Sequence, residues 1–149
     1  MIMPSGASKT ILILDDDPVF IEGLNAVLTA EGYRVLEGLS GDAGMVLLEK
    51  LHEEIDLVIV DLVLPGHSGF EIMGALNRRP TPIKIIATTA LLKDSYLEIA
   101  KHFGAHAVIK KHEPGTPFPA GQWLHAVSSL LAGESNAPVS PGIRASTPG

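Results

Sequence analysis

The chain contains a series of short apolar runs separated by segments with helical periodicity. Most of the runs are of strand length, rich in β-branched residues and free of alternating polar positions, which is typical of strands covered by helices on both faces. The run that begins at Tyr33 gives a weaker strand signal than the others. The predicted strands are Ile11–Leu14, Tyr33–Leu36, Leu57–Val60, Ile83–Ala87 and Ala107–Ile109.

Between the runs, apolar residues recur every three or four positions, as they do on one face of an amphipathic helix. Asp17-Pro18 fits a helix N-cap followed by proline at the first helical position. Because strands and helices alternate, the pattern predicts an α/β fold in which a parallel sheet carries helices on both faces. The predicted helices contain the segments Phe20–Leu28, Ala43–Leu51, Phe70–Leu76, Tyr96–Phe103 and Leu124–Leu131.

The regular pattern is confined to residues 10–133, which we interpret as one domain. Residues 1–9 precede the first strand and are expected to be a flexible N-terminus. Residues 134–149 are rich in Pro, Gly and Ser and have no periodicity, which is typical of a disordered tail or a linker.

Composition and charge narrow the functions that this fold could carry. The 149 residues include 11 basic and 17 acidic side chains, a net charge of −6, so a surface that binds nucleic acid or an anionic membrane is not expected. The absence of cysteine excludes a disulfide scaffold and a thiolate metal site. Apolar runs are too short to span a membrane and no signal peptide is evident, so we expect a cytoplasmic protein.

Acidic residues are concentrated at the carboxyl ends of the predicted strands. Asp15, Asp16 and Asp17 follow the first strand, and Asp61 follows the third. Functional residues of a doubly wound sheet gather beyond these ends, and the first and third strands are expected to be neighbours. Clustered carboxylates repel one another, so the arrangement favours a hard divalent cation such as Mg²⁺.

Other side chains at the same edge suit phosphate chemistry. The fifth predicted strand leads into Lys111, and the fourth leads into Thr88 and Thr89. An ammonium and a hydroxyl are donors suited to phosphoryl oxygens. The residues therefore predict a Mg²⁺-dependent phosphoryl-transfer pocket in which a carboxylate could be the acceptor.

Four consecutive motifs resemble those of the receiver domain of bacterial two-component response regulators. They are ILILDDDP, DLVIVDLVLPGHSGFEI, IKIIATTA and GAHAVIKK, and the resemblance extends from about Thr10 to Leu131. It implies a doubly wound (βα)5, flavodoxin-like fold, with a five-stranded parallel sheet in the strand order 2-1-3-4-5.

The resemblance also implies a role for each residue of the pocket. Asp61 matches the phosphoacceptor, Thr89 matches the switch hydroxyl, and Lys111 matches the lysine that contacts the phosphoryl group. The implied Mg²⁺ ligands are Asp16, Asp61, the backbone carbonyl of Val63 and, through water, Asp15.

In such families the phosphoryl donor is a sensor histidine kinase or a phosphotransfer protein. The receiver catalyses only its own phosphorylation and dephosphorylation and is not otherwise an enzyme. The implied output passes through the fourth and fifth strands and helices to a downstream protein target, or to an output domain missing from this chain. Direct nucleic-acid or membrane binding is not implied, and a monomer or weak dimer is expected.

Several positions depart from or modify the family pattern. His112 replaces the proline that usually follows the lysine, so the Lys111–His112 peptide bond is expected to be trans. Val108 replaces the aromatic residue three positions before the lysine, so the usual coupling of that ring to the switch hydroxyl cannot operate. Apolar Val63 and Leu91 flank the path of attacking water in this family, which predicts a long-lived phosphoryl-aspartate.

Two other functions are compatible with parts of the sequence. Residues 15–19 fit the D-x-D-x-[T/V] signature of haloacid-dehalogenase-type phosphatases, but only Glu113 and Glu134 could supply acidic ligands after the lysine. A pseudo-receiver that binds a partner without phosphorylation stays open because of the altered positions 108 and 112. A histidine metal site is not expected, since Gly104 should end the helix between His102 and His106.

Overall fold

The computed structural model of the protein describes residues 8–90 and 94–132. Most of the predicted N-terminal segment, the predicted tail and Leu91 lie outside the described residues. Five strands alternate with five helices along the described chain. The elements are β1 Thr10–Leu14, α1 Pro18–Ala30, β2 Arg34–Gly38, α2 Gly41–Leu51, β3 Leu57–Asp61, α3 Gly69–Asn77, β4 Lys84–Thr89, α4 Asp94–His102, β5 Ala107–Lys110 and α5 Ala120–Ala132.

The five strands form one parallel sheet in the order β2-β1-β3-β4-β5, which confirms the predicted fold class. Each strand boundary lies within two residues of its prediction. In the register of the central strands, Leu14 is the partner of Val60 and Asp61 is the partner of Thr88. The carboxyl ends of β1, β3 and β4 therefore meet at one edge, where the acidic residues lie.

Two buried apolar clusters cover the two faces of the sheet. Successive side chains of a strand point to opposite faces, so Leu12 and Leu14 enter one cluster while Ile11 and Ile13 enter the other. Burial of each such side chain contributes about 1.5–3 kcal/mol. The first cluster packs the sheet against α2, α3 and α4 through Leu48, Ile72, Met73, Leu76 and Ala100, and the second packs it against α1 and α5 through Phe20, Ile21, Leu24, Leu28, Trp123 and Val127.

The start of α1 is fixed by Asp17, whose Oδ1 accepts hydrogen bonds from the backbone N–H groups of Val19 at 3.0 Å and Phe20 at 3.4 Å. Pro18 is the first helical residue, where its missing N–H costs nothing. The cap places Phe20 in the first turn of the helix, beside the edge of the sheet that carries the acidic residues. Asp17 thus has the capping role that the sequence predicts.

The two histidines considered as metal ligands do not share a helix face. Helix α4 ends at His102, and Gly104 follows with a left-handed φ of +99°. His106 lies beyond this turn, and its Nδ1 is 3.1 Å from the backbone N–H of Ile85, from which it accepts a hydrogen bond. Burial and then the charge of Lys84 lower the pKa of His106, which favours the neutral ring that this bond requires. No described helix is long and apolar enough to cross a membrane.

Candidate functional site

Strand alternation brings a lysine and two aspartates to one side of the sheet edge. Asp15, Asp61 and Lys111 each lie two positions after an isoleucine of the cluster between the sheet and helices α1 and α5. Their side chains converge there. Lys111 Nζ is 2.7 Å from Asp15 Oδ2 and 3.0 Å from Asp61 Oδ2. A single ammonium therefore pairs with both carboxylates.

The backbone of the following loop holds each of these carboxylates by its second oxygen. Asp15 Oδ1 accepts a hydrogen bond from the N–H of Asp17 at 2.9 Å, and Asp61 Oδ1 accepts one from the N–H of Val63 at 2.8 Å. Asp15 has no solvent-exposed surface and Asp61 is 6% exposed. The two loops and Lys111 together fix the orientation of both carboxylates before any ligand arrives.

Burial and ion pairing act in opposite directions on the pKa values of Asp15 and Lys111. Desolvation raises the pKa of Asp15 to about 6 and the charge of Asp61 adds to the effect, although hydrogen bonds from Lys111 and Asp17 oppose it. Burial alone would lower the pKa of Lys111, but its hydrogen bonds and charge interactions with Asp15 and Asp61 outweigh burial and raise it. The lysine is therefore charged at neutral pH, and Asp15 takes up a proton at a higher pH than an ordinary aspartate does.

Replacing Asp15 by Asn is expected to stabilise the metal-free protein by up to about 3 kcal/mol near pH 8, with the gain shrinking toward about pH 5. The folded-state pKa of about 6 lies above the ordinary 3.8. The folded state therefore binds this proton more tightly, and the stability it provides is complete below about pH 4 and lost as the pH rises through 6. Urea unfolding of both proteins in EDTA measures the difference. A difference that grows toward low pH would contradict this assignment.

Asp16 completes a set of three carboxylates. It is exposed, and one oxygen each from Asp15, Asp16 and Asp61 lies within 4.8 Å of the others. Hard carboxylate oxygens at this separation fit the ligand preference of Mg²⁺. Val63, the other residue implied as a ligand, follows Asp61 by two positions and is 61% exposed.

Three further residues that sequence reasoning singled out, Thr89, Val108 and His112, lie in or just after β4 and β5. Thr89 is buried at the end of β4, and its carbonyl accepts a hydrogen bond from the N–H of Lys111 at 2.9 Å. Val108 packs against the opposite cluster, under α2, α3 and α4. The Lys111–His112 peptide bond is trans, as expected, and the His112 ring lies 5.1 Å from that of Phe118, centroid to centroid.

Sequence reasoning missed one neighbour of the lysine. The Nζ atom of Lys111 lies 4.8 Å from the centroid of the Phe20 ring. Helical periodicity marks Phe20 only as a core residue, and it is indeed 4% exposed. The available signal was the Asp17-Pro18 cap, which fixes the helix start and so places Phe20 beside the strand ends.

Comparison with known proteins identifies the family. A family model described as the response regulator receiver domain matches residues 11–116. The chain belongs to this receiver family. Protein PilH of Pseudomonas aeruginosa is 30% identical over 125 residues, which cover 83% of this chain and 98% of PilH. Sporulation initiation phosphotransferase F of Bacillus subtilis is 30% identical over 129 residues, which cover 87% and 98%.

Solved receiver structures share the fold. A CheY-like response regulator receiver domain protein from Methanospirillum hungatei has a TM-score of 0.75 and 26% identity, covering 89% of this chain and all of that one. Some relatives are longer. The receiver covers only 45% of Response regulator GtcR of Aneurinibacillus migulanus, at 33% identity, and 46% of Transcriptional regulatory protein AfsQ1 of Streptomyces coelicolor, at 32% identity. The chain thus spans about half the length of these curated relatives.

Membership of the receiver family has direct consequences for the site. Receiver domains are generally signal transducers rather than enzymes, they interact with sensor kinases and phosphotransfer proteins, and they typically bind Mg²⁺ in an acidic pocket. In this receiver Asp15, Asp16 and Asp61 form an acidic cluster that fits such a pocket. The phosphatase alternative is set aside, because the family is a different one and the second aspartate of its signature, Asp17, caps a helix.

Proposed function

We propose that this receiver accepts a phosphoryl group on Asp61 in a Mg²⁺-dependent reaction and so transmits a signal in a phosphorelay. The observation that carries the proposal is the convergence on Lys111 of two carboxylates that the fold buries, with a third carboxylate beside them. Burial and mutual repulsion of these groups oppose folding, so their assembly favours a role with a cation and a phosphoryl group.

In the proposed transfer Asp61 is the nucleophile and Lys111 stabilises the transferred group. One carboxylate oxygen of Asp61 attacks the phosphorus of the donor, and the bond to the donor's leaving group breaks as that group takes the electron pair. The product is an acyl phosphate. Attack of water on its phosphorus breaks the bond to the aspartyl oxygen, which releases inorganic phosphate and restores the carboxylate. Lys111, 3.0 Å from Asp61 Oδ2, supplies charged N–H donors to the transferred phosphoryl oxygens.

The proposed metal ligands are Asp16, Asp61 and the Val63 carbonyl, with Asp15 acting through water. Bound Mg²⁺ would offset the repulsion of the carboxylates and neutralise charge on the phosphoryl oxygens. Thr89, buried at the end of the neighbouring strand β4, is proposed as the hydroxyl that contacts the phosphoryl group after transfer.

The proposed donor is a sensor histidine kinase or a phosphotransfer protein. Phosphorylation would shift a two-state equilibrium of β4, α4, β5 and α5 and change binding of a downstream target or output domain. Val108 is an aliphatic residue on the opposite side of the sheet from Lys111, so the output does not use an aromatic ring at this position of β5. We further propose a domain over residues 10–133 that acts as a monomer or weak dimer.

Intact-mass measurement with acetyl phosphate tests the proposal. The wild type is expected to gain the mass of one phosphoryl group with Mg²⁺ and none in EDTA, and Asp61→Asn is expected to gain none. Asp17→Asn is the matched control, because Asn also caps helices and Asp17 is outside the carboxylate set. Uptake by Asp61→Asn equal to that of the wild type would refute the proposed acceptor. No uptake by the wild type would favour the pseudo-receiver.

A further inference from the structure

The Lys111 ammonium has a third neighbour besides its two carboxylate partners. The Phe20 ring centroid is 4.8 Å from Nζ, within the distance of about 6 Å at which an ammonium is attracted to the face of an aromatic ring. The lysine side chain is 11% exposed, so little water competes for the ammonium. Asp15, Asp61 and the ring together define its position.

The Phe20 ring is held independently of the carboxylates. It packs against Trp123 of α5 in an edge-on arrangement with a centroid distance of 5.8 Å, and against Phe118 with a centroid distance of 6.1 Å. Phe118 in turn lies so close to Gly23 that a Cβ at position 23 would be 2.9 Å from its Cδ2 atom. The rings of Phe20, Phe118 and Trp123 therefore pack α1, α5 and the loop after Lys111 against one another.

We propose that Phe20 is a positioning residue for Lys111 in phosphoryl transfer, acting through the face of its ring; this rests on the proposed function. The two carboxylates that hold the lysine are also the groups that fit Mg²⁺, so their hold on the lysine weakens when they bind a cation. A phenyl ring offers no ligand atom to a metal. Its attraction for the ammonium therefore persists when that of the carboxylates is reduced.

A double-mutant cycle separates positioning from packing. Phe20→Leu keeps an apolar side chain of similar reach but removes the ring face, and is expected to lower the rate of phosphorylation by acetyl phosphate about fivefold. In a Lys111→Met background the same change is expected to have little effect, because the ammonium is absent. Phe103→Leu is the matched control, since Phe103 pairs with Phe70 at 5.3 Å, away from the lysine. No rate loss, or an equal loss in both backgrounds, would overturn the proposal.

Two further measurements keep the test decisive if Phe20→Leu folds poorly or the Lys111→Met rate is too low to follow. Stepwise fluorination of the ring at position 20 weakens its attraction for cations with little change of shape, and the rate is expected to fall with each fluorine. A rate independent of fluorination would refute the proposal.

Nuclear magnetic resonance of the Lys111 methylene next to Nζ needs no phosphorylation. An upfield ring-current shift is expected in the wild type and in Phe103→Leu, and should be lost in Phe20→Leu. If the wild type takes up no phosphoryl group, the proposed function fails, and the shift alone decides whether the ring holds the lysine. A Lys111 signal that is unchanged by Phe20→Leu would overturn the inference even if phosphorylation proceeds normally.

Discussion

Replacing Lys111 by Met is expected to lower the free energy of unfolding of the metal-free protein by about 3 kcal/mol near pH 8. The ammonium lies 2.7 Å from Asp15 and 3.0 Å from Asp61, and both carboxylates are almost fully buried. Removing it leaves two like charges without the cation that offsets their burial. The loss is expected to be smaller near pH 5, since Asp15, with a pKa raised to about 6, can then take up a proton.

The neighbouring lysine provides a matched control. Lys110 is 46% exposed and forms an ion pair only with Glu113, at 3.7 Å, among the residues that the structure describes. Lys110→Met is therefore expected to change stability by less than about 0.5 kcal/mol. Saturating Mg²⁺ should restore part of the stability of Lys111→Met, because the metal ion then replaces the missing ammonium beside the carboxylates. Equal effects of the two substitutions in urea unfolding would contradict the role of Lys111 as their counter-ion.

Replacing Gly69 by Ala is expected to destabilise the protein by about 2–3 kcal/mol and to slow phosphorylation. Gly69 is the buried first residue of α3. A Cβ there would lie 2.3 Å from the carbonyl oxygen of Asp61 and 2.7 Å from the Cα of Leu62. Both are backbone atoms, so relief requires the helix to move away from the residue that carries the proposed phosphoacceptor carboxylate.

Gly74→Ala in the same helix tests whether this effect is local. A Cβ at Gly74 would be 3.5 Å from Nη1 of Arg78, an ordinary contact. Alanine in a helix interior is favoured over glycine, so Gly74→Ala is expected to raise stability by about 0.5–1 kcal/mol. If Gly69→Ala and Gly74→Ala have the same stability and the same phosphorylation rate, the prediction is contradicted, and α3 tolerates displacement at its start.

The sequence was sufficient for the fold because each strand reads as a continuous apolar run between periodic helices. The strand boundaries differ from the prediction where the apolar run ends before the backbone hydrogen bonding of the sheet does. The predicted fourth strand stops at Ala87, the last apolar residue, whereas β4 continues to Thr89 because Asp61 and Lys110 supply partners from both neighbouring strands. Strand propensity depends on the side chains of one segment, whereas the hydrogen bonds of a sheet depend on which neighbouring strands lie beside that segment.

The site was likewise predictable only as far as the order and alternation of the strands determine it. Three carboxylates at the ends of adjacent strands could be predicted, since strand order determines which ends meet. Strand alternation then places Lys111, but not Lys110, on the side of the sheet that faces Asp15 and Asp61. The Asp17-Pro18 cap places Phe20 near the strand ends, but its contact with the lysine also depends on how α1 docks on the sheet. A helical repeat carries no information about that docking.

The most direct test of the central claim is to identify the residue that carries the phosphoryl group. Treatment of the phosphorylated protein with borohydride reduces an acyl phosphate to the alcohol and converts the modified aspartate to homoserine, which peptide mass spectrometry locates. The expected result is homoserine at position 61 alone, only after incubation with acetyl phosphate and Mg²⁺. Homoserine at position 15 or 16, or at no position in a protein that has gained phosphoryl mass, would contradict the assignment of Asp61 as the phosphoacceptor.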